Sequence, residues 1–235
     1  LMISRHMSVT RKNSSHWPML LEQHVENCST NWMQSTISME ECRGIPMKNE
    51  EDMAIDAVET LIRYIEDNDG VLREGLARTP QRVIESFKEI YSGYSDDAEE
   101  ILSATFNSEG YDGIVLLRDV EFHSVCEHHL QPFSGKAHIA YIPVDKIVGI
   151  SKLARLLDMH SKRLQNQERL TESIVEDLQR VIQPLGCAAV IEAQHGCMRC
   201  RGVEKQNAVM VTSSMRGAFF DKPQARSELM QLINQ

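Results

Sequence analysis

Cysteine and histidine residues occur together in two short segments of the sequence. In the first, Cys126 and His129 stand three residues apart, and about seventy residues later Cys197 and Cys200 have the same spacing. A tight turn with this spacing can direct two ligand atoms at one metal ion, and thiolate and imidazole are ligands that zinc prefers. Each segment follows a predicted strand, and the ends of two strands of one sheet can converge. The two segments can therefore share one zinc ion.

Two kinds of zinc site fit these four residues. In a closed structural site all four would bind the ion, whereas in a catalytic site only three would bind and water would take the fourth position. Two further histidines, His128 and His195, adjoin the candidate ligands. A structural site has no use for extra titratable histidines, but a catalytic site can use them to move protons to and from a zinc-activated water. This surplus favours a catalytic site, and the closed site stays open as an alternative.

Polar and basic residues form a second candidate site on the predicted helices. Ser151, Lys152 and Arg155 begin one helix, where unpaired backbone N–H groups and the helix dipole favour anions. Gln167 and Glu168 lie in the polar segment before the next helix, where the residues alone fit a loop with a helix-start Glu. Three more cations follow the second cysteine segment: Arg199, Arg201 and Lys205. Together these residues indicate a polyphosphate pocket beside a zinc site.

The elements that must position these residues follow from hydrophobic periodicity. Alternating, β-rich segments predict four strands, and apolar residues at helical spacing predict two helices between the second strand and the third. The predicted strands are 114–125, 135–142, 187–194 and 208–214, and the helices begin near 151 and 168. Consecutive strands at each end favour hairpins, so we expect an α+β fold, an antiparallel four-stranded sheet with both helices on one face. Its free edges favour pairing with another copy in a homo-oligomer.

The chain is predicted to have three parts. Residues 1–49 are rich in Ser, Asn, Gln and Met without a regular period, which predicts a poorly ordered tail, either upstream sequence or a regulatory segment. Residues 50–100 are predicted to be a helical segment, and residues 101–235 a catalytic domain that ends in a short helix from Pro223. The net charge is -9, and the whole excess of acidic residues falls within residues 51–100, as a solvated face.

Composition excludes several classes of protein. Hydrophobic residues make up 42% of the chain and charged residues 25%, as in soluble globular proteins. No window approaches the ~18 consecutive apolar residues of a membrane span, no basic stripe indicates nucleic-acid binding, and no apolar segment follows the early basic residues as in a signal peptide. Six cysteines are too few and too unevenly placed for a disulfide framework, which favours a reducing compartment. We expect a cytoplasmic protein that binds neither membranes nor nucleic acid.

Five blocks of the sequence, in this order, resemble the GTP cyclohydrolase I family. The blocks are CEHHLQPFSGKAHIAYIP (126–143), GISKLARLLD (149–158), RLQNQERLTESI (163–174), EAQHGCMRCRGVEK (192–205) and TSSMRGAFF (212–220). The resemblance spans roughly Asp52 to Phe220 and implies the tunnelling fold, whose order of strands and helices agrees with the one predicted above. In that family two rings of five subunits form a decamer, with active sites at subunit interfaces.

The resemblance also implies a reaction and the residues that carry it. GTP is hydrolysed to 7,8-dihydroneopterin triphosphate and formate through a zinc-activated water that attacks C8 of guanine, and the product serves pterin and folate biosynthesis, tetrahydrobiopterin synthesis or deazapurine modification of tRNA. The implied zinc ligands are Cys126, His129 and Cys197. The residues implied to move protons are His128 and His195 as the guanine ring opens, and Ser151 during the later rearrangement of the ribose.

Substrate contacts are implied by the same resemblance. Glu168, helped by Gln167, would accept hydrogen bonds from the guanine N–H groups, an edge that adenine would leave unpaired. The cations that would hold the triphosphate are Lys152, Arg155, Arg201 and, from another part of the assembly, Arg82. GTP is therefore the expected substrate.

Three residues depart from the family pattern. Asn166 and His160 stand where more apolar residues are expected, which concerns local packing. Cys200 adds a thiolate that the family does not require, and a protein in which it bound zinc would be a non-catalytic member of the fold with a closed Cys3His site.

A third hypothesis is an enzyme of this fold that acts on another pterin or purine, because pterins present a similar donor edge to Glu168. The triphosphate cluster favours GTP.

Overall fold

The computed structural model describes residues 49–67 and 70–235, so the predicted tail lies outside the described residues except for Asn49. Helices occupy most of the described residues before the first strand: α1 (Glu50–Glu66), α2 (Thr79–Ile90) and α3 (Ala98–Leu102), with single turns of 3-10 helix at Glu74–Leu76 and Ser92–Ser95. Pro80 lies in the first turn of α2, where its missing N–H removes no intrahelical bond. The Asp97 carboxylate caps α3 by accepting a hydrogen bond from the Glu99 N–H (2.6 Å).

The remaining elements follow in an order close to the predicted one. They are β1 (Thr105–Asn107), β2 (Val115–Cys126), β3 (Pro132–Ile142), β4 (Lys146–Val148), α4 (Ile150–Ser161), β5 (Leu164–Gln165), α5 (Gln167–Ile182), β6 (Gly186–His195), α6 (Gly196–Arg199), β7 (Met210–Gly217), α7 (Ala218–Asp221) and α8 (Pro223–Ile233). None of the helices in the described ranges is long and apolar enough to cross a membrane.

The central sheet has the strand order β5-β2-β3-β6-β7. Its four long strands pair in antiparallel fashion, so the predicted antiparallel α+β sheet is confirmed. The sequence predicted four strands, but the structure adds a fifth, β5, which pairs in parallel with the end of β2. It also adds a separate two-stranded sheet of β1 and β4. These additions have two or three residues per strand, which is too short to show a period in the sequence.

The main hydrophobic core lies between the sheet and helices α4 and α5, so the predicted placement of both helices on one face is confirmed. Side chains of β3 alternate between the two faces, because Ala137, Ile139 and Tyr141 belong to this core while Ala140 belongs to a smaller cluster on the opposite face. Burial of a large apolar side chain such as Leu156 contributes about 1.5–3 kcal/mol. The opposite face is covered at one end by α8 through Leu229.

A hydrogen bond joins the two helices of this layer at His160, the position where the family resemblance led us to expect an apolar residue. His160 is buried, and its Nε2 lies 2.8 Å from Oδ2 of Asp177 on α5. The other oxygen of Asp177 accepts a hydrogen bond from Arg180 (2.7 Å). The polar pair therefore has the partners that a buried position requires.

Antiparallel pairing separates the functional segments into two ends of the sheet. Cys126 ends β2, and His195 ends β6 opposite Phe133 near the start of β3. The start of α4 lies at the far end of β3, where the Val148 N–H donates to the Tyr141 hydroxyl (2.9 Å). Ten residue steps separate the two ends of β3, Pro132 and Ile142, which is roughly 30 Å at ~3.3 Å per residue.

Candidate metal centre and active site

Three predicted ligands converge at one end of the sheet. One ligand atom from each of Cys126, His129 and Cys197 lies within 4.8 Å of the others. The turn after β2 brings the first two together: the Cys126 N–H donates to the Gln131 carbonyl (2.8 Å), and the Leu130 N–H donates back to the Cys126 carbonyl (2.9 Å). The Cys126 Sγ lies 3.7 Å from Nδ1 of His129. Two thiols and one imidazole form a donor set that fits zinc.

The third ligand comes from the single helical turn α6, which begins directly after β6. Burial and the neighbouring Cys126 thiol raise the pKa of Cys197, whereas Arg201 opposes this shift from nearby. Cys200, at the end of the same turn, is exposed and does not join the three clustered ligand atoms. Its Sγ lies 2.9 Å from the Gly196 carbonyl oxygen. The geometry therefore brings together three ligands and leaves the fourth cysteine beside them.

The metal-binding turn is tied to the start of α5 by side chains that sequence reasoning missed. Glu127, between the two ligands of this turn, accepts hydrogen bonds from Arg169 and from Nδ2 of Asn166 (2.7 Å). The hydrogen bond from Arg169, and after it the one from Asn166, holds the pKa of the Glu127 carboxyl below its ordinary value. Asn166 also caps α5, because its side chain accepts from the Arg169 N–H (2.8 Å). A cap residue directly before a helical period was the one available signal.

The two predicted proton-moving histidines lie in different surroundings. His128 is exposed, with Nδ1 at 3.7 Å from the Cys126 Sγ. His195 is half-buried, and burial lowers its pKa. The His195 ring stacks on Phe133, with 4.6 Å between ring centroids and 4° between ring planes. Its Nε2 lies 2.8 Å from Oε1 of Gln167.

The predicted guanine-binding residues, consecutive in the sequence, point in different directions. The Gln167 side chain is buried and contacts β6 and β7, whereas Glu168 is exposed. Glu168 lies close enough to His195 to act on it electrostatically. It lines a cavity of about 680 Å³ between α5 and β7, with walls that include Arg169, Thr171, Glu172, Ser213 and Ser214. Glu168 and the metal ligands thus lie at the same end of the sheet.

The predicted triphosphate-binding residues are divided between two places. Arg201 lies beside Cys197. Ser151, Lys152 and Arg155 lie at the start of α4, at the opposite end of the sheet, where Lys152 and Arg155 line a separate cavity of about 500 Å³ with acidic residues of α3 and its cap. The side chain of Arg82 is exposed on α2. One chain therefore does not bring this serine and these cations to its own metal ligands.

The fold and the site together define an α+β protein with a Cys2His group that can hold a metal ion. The chain belongs to the GTP cyclohydrolase I family, whose family model matches residues 54–234. This assignment confirms the resemblance seen in the five sequence blocks.

Curated relatives cover most of the chain and are named GTP cyclohydrolase 1. The chain is 52% identical over 177 residues to the protein of a Synechococcus species, which covers 75% of this chain and 76% of the relative. It is 48% identical over 187 residues to that of Gloeobacter violaceus, with 80% and 86% covered. It is 50% identical over 176 residues to that of Wolinella succinogenes, with 74% and 94% covered.

Among solved structures, the chain is similar to the archaeosine synthase QueF-Like in its apo form, at 16% identity. That match covers 45% of this chain and 94% of the other, and its TM-score of 0.38 is too low to support an inference about function.

Proposed function

We propose that this chain hydrolyses GTP to 7,8-dihydroneopterin triphosphate and formate, the first step of pterin and folate biosynthesis. Family membership over residues 54–234 and curated relatives of this name at about 50% identity support the reaction. The single observation that carries it is the convergence of Cys126, His129 and Cys197 beside His195 and Glu168. This arrangement combines a metal site, a proton carrier and an acceptor for the guanine edge.

Zinc is the metal that we propose for this site. Two sulfur ligands and one nitrogen ligand are typical of zinc, and three protein ligands rather than four are typical of a catalytic site. A bound zinc ion would supply Lewis-acid activation of water at neutral pH. The chain's own contribution is to fix the ligands, through the β2 turn and through α6.

Glu168 is proposed to anchor the guanine base. Its carboxylate is exposed at the wall of a cavity and makes no hydrogen bond to another residue of the described ranges, so both oxygens are available to a ligand. Guanine presents N1–H and the 2-amino group along one edge, and a carboxylate accepts from both. A base without these donors would leave the carboxylate unpaired.

His195 and His128 are proposed to move protons as the imidazole ring of guanine opens. The ring of His195 is fixed by Phe133 and Gln167, and its pKa is lowered by burial, so it is neutral and able to accept a proton at neutral pH. His128 is exposed beside the same ligands and can exchange protons with solvent. Ser151 is proposed to act later, in the rearrangement of the ribose.

We propose that Ser151, Lys152 and Arg155 of one copy act at the metal site of another copy. Arg201 is proposed to act at the metal site of its own chain. The roughly 30 Å between the two ends of the sheet is too long for one triphosphate to bridge within a chain. A homo-oligomer with sites between copies removes this separation, and two rings of five subunits are the expected form. Arg82 is proposed to join the triphosphate from a further copy.

Mixing two inactive variants tests this arrangement. Cys126→Ser removes a metal ligand and Lys152→Ala removes a triphosphate contact, so each variant alone should be inactive. After dissociation and reassembly as a mixture, roughly one quarter of the wild-type activity should return, because sites that pair two intact halves form at random. Mixtures that stay inactive while they form full oligomers would place both halves of each site in one chain.

The remaining expectations are proposals as well. We propose a cytoplasmic location, because thiolate ligands stay reduced there and the cysteines of the described ranges are free. We propose residues 101–235 as the catalytic domain, since the metal ligands, Glu168 and the start of α4 all lie within them.

The reaction itself is tested with purified protein and GTP. The pterin product and formate are followed for the wild type, for a chelator-treated sample reloaded with zinc, and for Cys200→Ser. Zinc-dependent product from the wild type and from Cys200→Ser would support a hydrolase in which Cys200 is not a ligand. If the wild type held one zinc ion and were silent while Cys200→Ser was active, the closed Cys3His site would be correct. Silence from both, with metal and oligomer intact, would redirect the search to another pterin or purine.

A further inference from the structure

Gln167 is the most enclosed polar side chain near the metal centre, with 1% of its surface exposed. Its Nε2 lies 3.0 Å from the Ile191 carbonyl oxygen, 3.0 Å from the Met210 carbonyl oxygen and 3.1 Å from Oγ1 of Thr212. Its Oε1 lies 2.8 Å from Nε2 of His195. The carboxamide therefore reaches across from α5 to β6 and β7, and it faces away from solvent.

The orientation of this carboxamide is fixed by its partners. Backbone carbonyl oxygens can only accept, so the NH2 group of Gln167 must face Ile191 and Met210. The reverse orientation would bury Oε1 against these two carbonyl oxygens, with no proton between them. The NH2 group would then lose both of its backbone acceptors. It follows that Oε1 faces His195.

Two threonine hydroxyl groups complete the network. Oγ1 of Thr171 donates to the Gln167 carbonyl oxygen (2.7 Å), so its proton is already used. The Thr212 hydroxyl therefore donates to Oγ1 of Thr171 (2.6 Å), and its oxygen is a third acceptor, beside the two carbonyl oxygens, for the two protons of the Gln167 NH2 group. Three acceptors surround the two protons of this NH2 group, so an exchange of the NH2 group and Oε1 would be unfavourable.

The fixed acceptor determines which nitrogen of His195 carries hydrogen. Oε1 of Gln167 has no proton, so Nε2 of His195 must donate to it. In a neutral imidazole the other nitrogen is then the acceptor, and Nδ1 has no hydrogen-bond partner within residues 49–67 and 70–235. Phe133 stacks on the ring and holds its plane.

We infer that Gln167 is a positioning residue, which holds His195 in the Nε2–H tautomer so that Nδ1 accepts the proton in catalysis. This inference rests on the proposed GTP hydrolysis for its kinetic part only. It assigns Gln167 to His195 instead of to the guanine base, because both protons of its NH2 group are engaged by buried acceptors and the side chain is closed off from solvent.

The tautomer is measured directly by magic-angle-spinning 15N NMR of the zinc-loaded full chain labelled on histidine. Spectra at about pH 8.5, some two units above the ordinary imidazole pKa, separate protonated from unprotonated ring nitrogens. The His195 signals are identified by their loss in His195→Asn. We expect a protonated Nε2 and an unprotonated Nδ1, and a protonated Nδ1 would overturn the inference. The wild-type spectrum gives this answer whether or not any Gln167 variant folds.

Variants then test what the tautomer does. In Gln167→Met the side chain keeps its length but cannot accept from His195, so we expect both tautomers in the spectrum and kcat lowered about 10- to 100-fold with KM for GTP within about twofold. Gln167→Glu, as a neutral buried acid, still accepts through one oxygen and should restore the Nε2–H tautomer and most of kcat. The control Gln179→Met makes the same change on a half-buried residue of α5 whose one side-chain contact is a weak one with Cys187. It should leave the His195 spectrum and kcat unchanged.

The results separate this inference from the proposed function. A rise in KM with unchanged kcat in Gln167→Met would mean that Gln167 contacts the base, and the positioning role would be wrong. Equal loss of kcat in Gln167→Met and Gln179→Met would also contradict it. If wild-type protein made no pterin product yet showed the Nε2–H tautomer, the proposed function would fail while the assignment of the His195 tautomer stood.

Discussion

Replacement of Arg169 by Met tests whether the ion pair next to the metal ligands controls metal affinity. Arg169 donates to Oε2 of Glu127, to Oε1 of Gln165 (2.8 Å) and to the Leu164 carbonyl (3.3 Å). One substitution therefore removes the ion pair that holds the β2 turn against α5, together with two contacts from α5 to β5. Glu127 would keep only its side-chain bond from Asn166.

The size of the effect follows from the place of Glu127 in the turn that carries two of the candidate metal ligands. Loss of a partner that orients a metal-binding residue typically lowers affinity 10- to 100-fold. Arg169 acts on Glu127, which lies between the ligands Cys126 and His129, and both side chains of the pair are partly exposed. We therefore expect the lower part of that range, about 10- to 30-fold weaker zinc binding. Because the pKa of Glu127 lies below its ordinary value, this carboxylate is charged throughout neutral pH and the effect should not vary between about pH 6 and 8.

Zinc affinity is measured by competition with a chromophoric chelator on the full chain. Arg180→Met is the matched control, since it removes the same charge from the same helix and breaks a pair with Asp177 and Glu99. We expect wild-type zinc affinity for this control. Equal weakening in both variants would attribute the effect to net charge, and less than about threefold weakening in Arg169→Met would refute the positioning argument.

Three further outcomes are expected. Glu168→Ala should lower kcat/KM for GTP about 100-fold in a pterin fluorescence assay, because the guanine N–H groups would lose their proposed acceptor. The unfolding midpoint should not change, because the Glu168 side chain is exposed. Full turnover would contradict the proposed role of Glu168 as guanine anchor. Burial alone would raise the pKa of Asp177, but hydrogen bonds from its partners on α4 and α5 outweigh this and hold the pKa below its ordinary value. The contribution of Asp177 to stability is therefore complete above its unfolded-state pKa, about 4, and is lost as pH falls through its lower folded-state pKa. Asp177→Asn should therefore make the urea-unfolding midpoint depend less on pH in the acidic range. An unchanged pH dependence would contradict the proposed interaction of Asp177 with its partners. Gly135→Ala would place Cβ 1.8 Å from the Glu192 carbonyl oxygen and should lower the free energy of unfolding in urea by about 2–3 kcal/mol. The control is Gly75→Ala, whose Cβ would meet nothing within 4 Å. Similar stability of the two variants would refute the close approach at Gly135.

Local patterns were sufficient to predict the long elements of the fold. The strand predicted at 114–125 is observed at Val115–Cys126, and the helix predicted to begin near 168 begins at Gln167. Both carry a hydrophobic period that the sequence displays directly. The two-residue strand Leu164–Gln165 has no such period and exists because the chain leaving α4 passes beside the end of β2.

Some features of the site could likewise be predicted from local sequence, whereas others exist only because the fold brings distant residues together. The cysteine and histidine ligands were predictable, because their types and spacing restrict the chemistry that they can perform. The pairs Arg169–Glu127 and His195–Gln167 join residues 42 and 28 positions apart, so no local pattern reveals them. His160 looked like a misplaced polar residue until α4 and α5 brought it to Asp177.

Residue type and spacing are local properties, so the sequence alone indicated which residues could hold a metal ion and a triphosphate, and its resemblance to a known family added the expected guanine contact of Glu168. Only the tertiary structure decided which of them one chain can use together. Antiparallel pairing along β3 places Cys126 and Lys152 at opposite ends of the sheet, although they are 26 positions apart in the sequence. An extended strand carries the chain about 3.3 Å per residue, so the strand length itself sets the separation of these two groups.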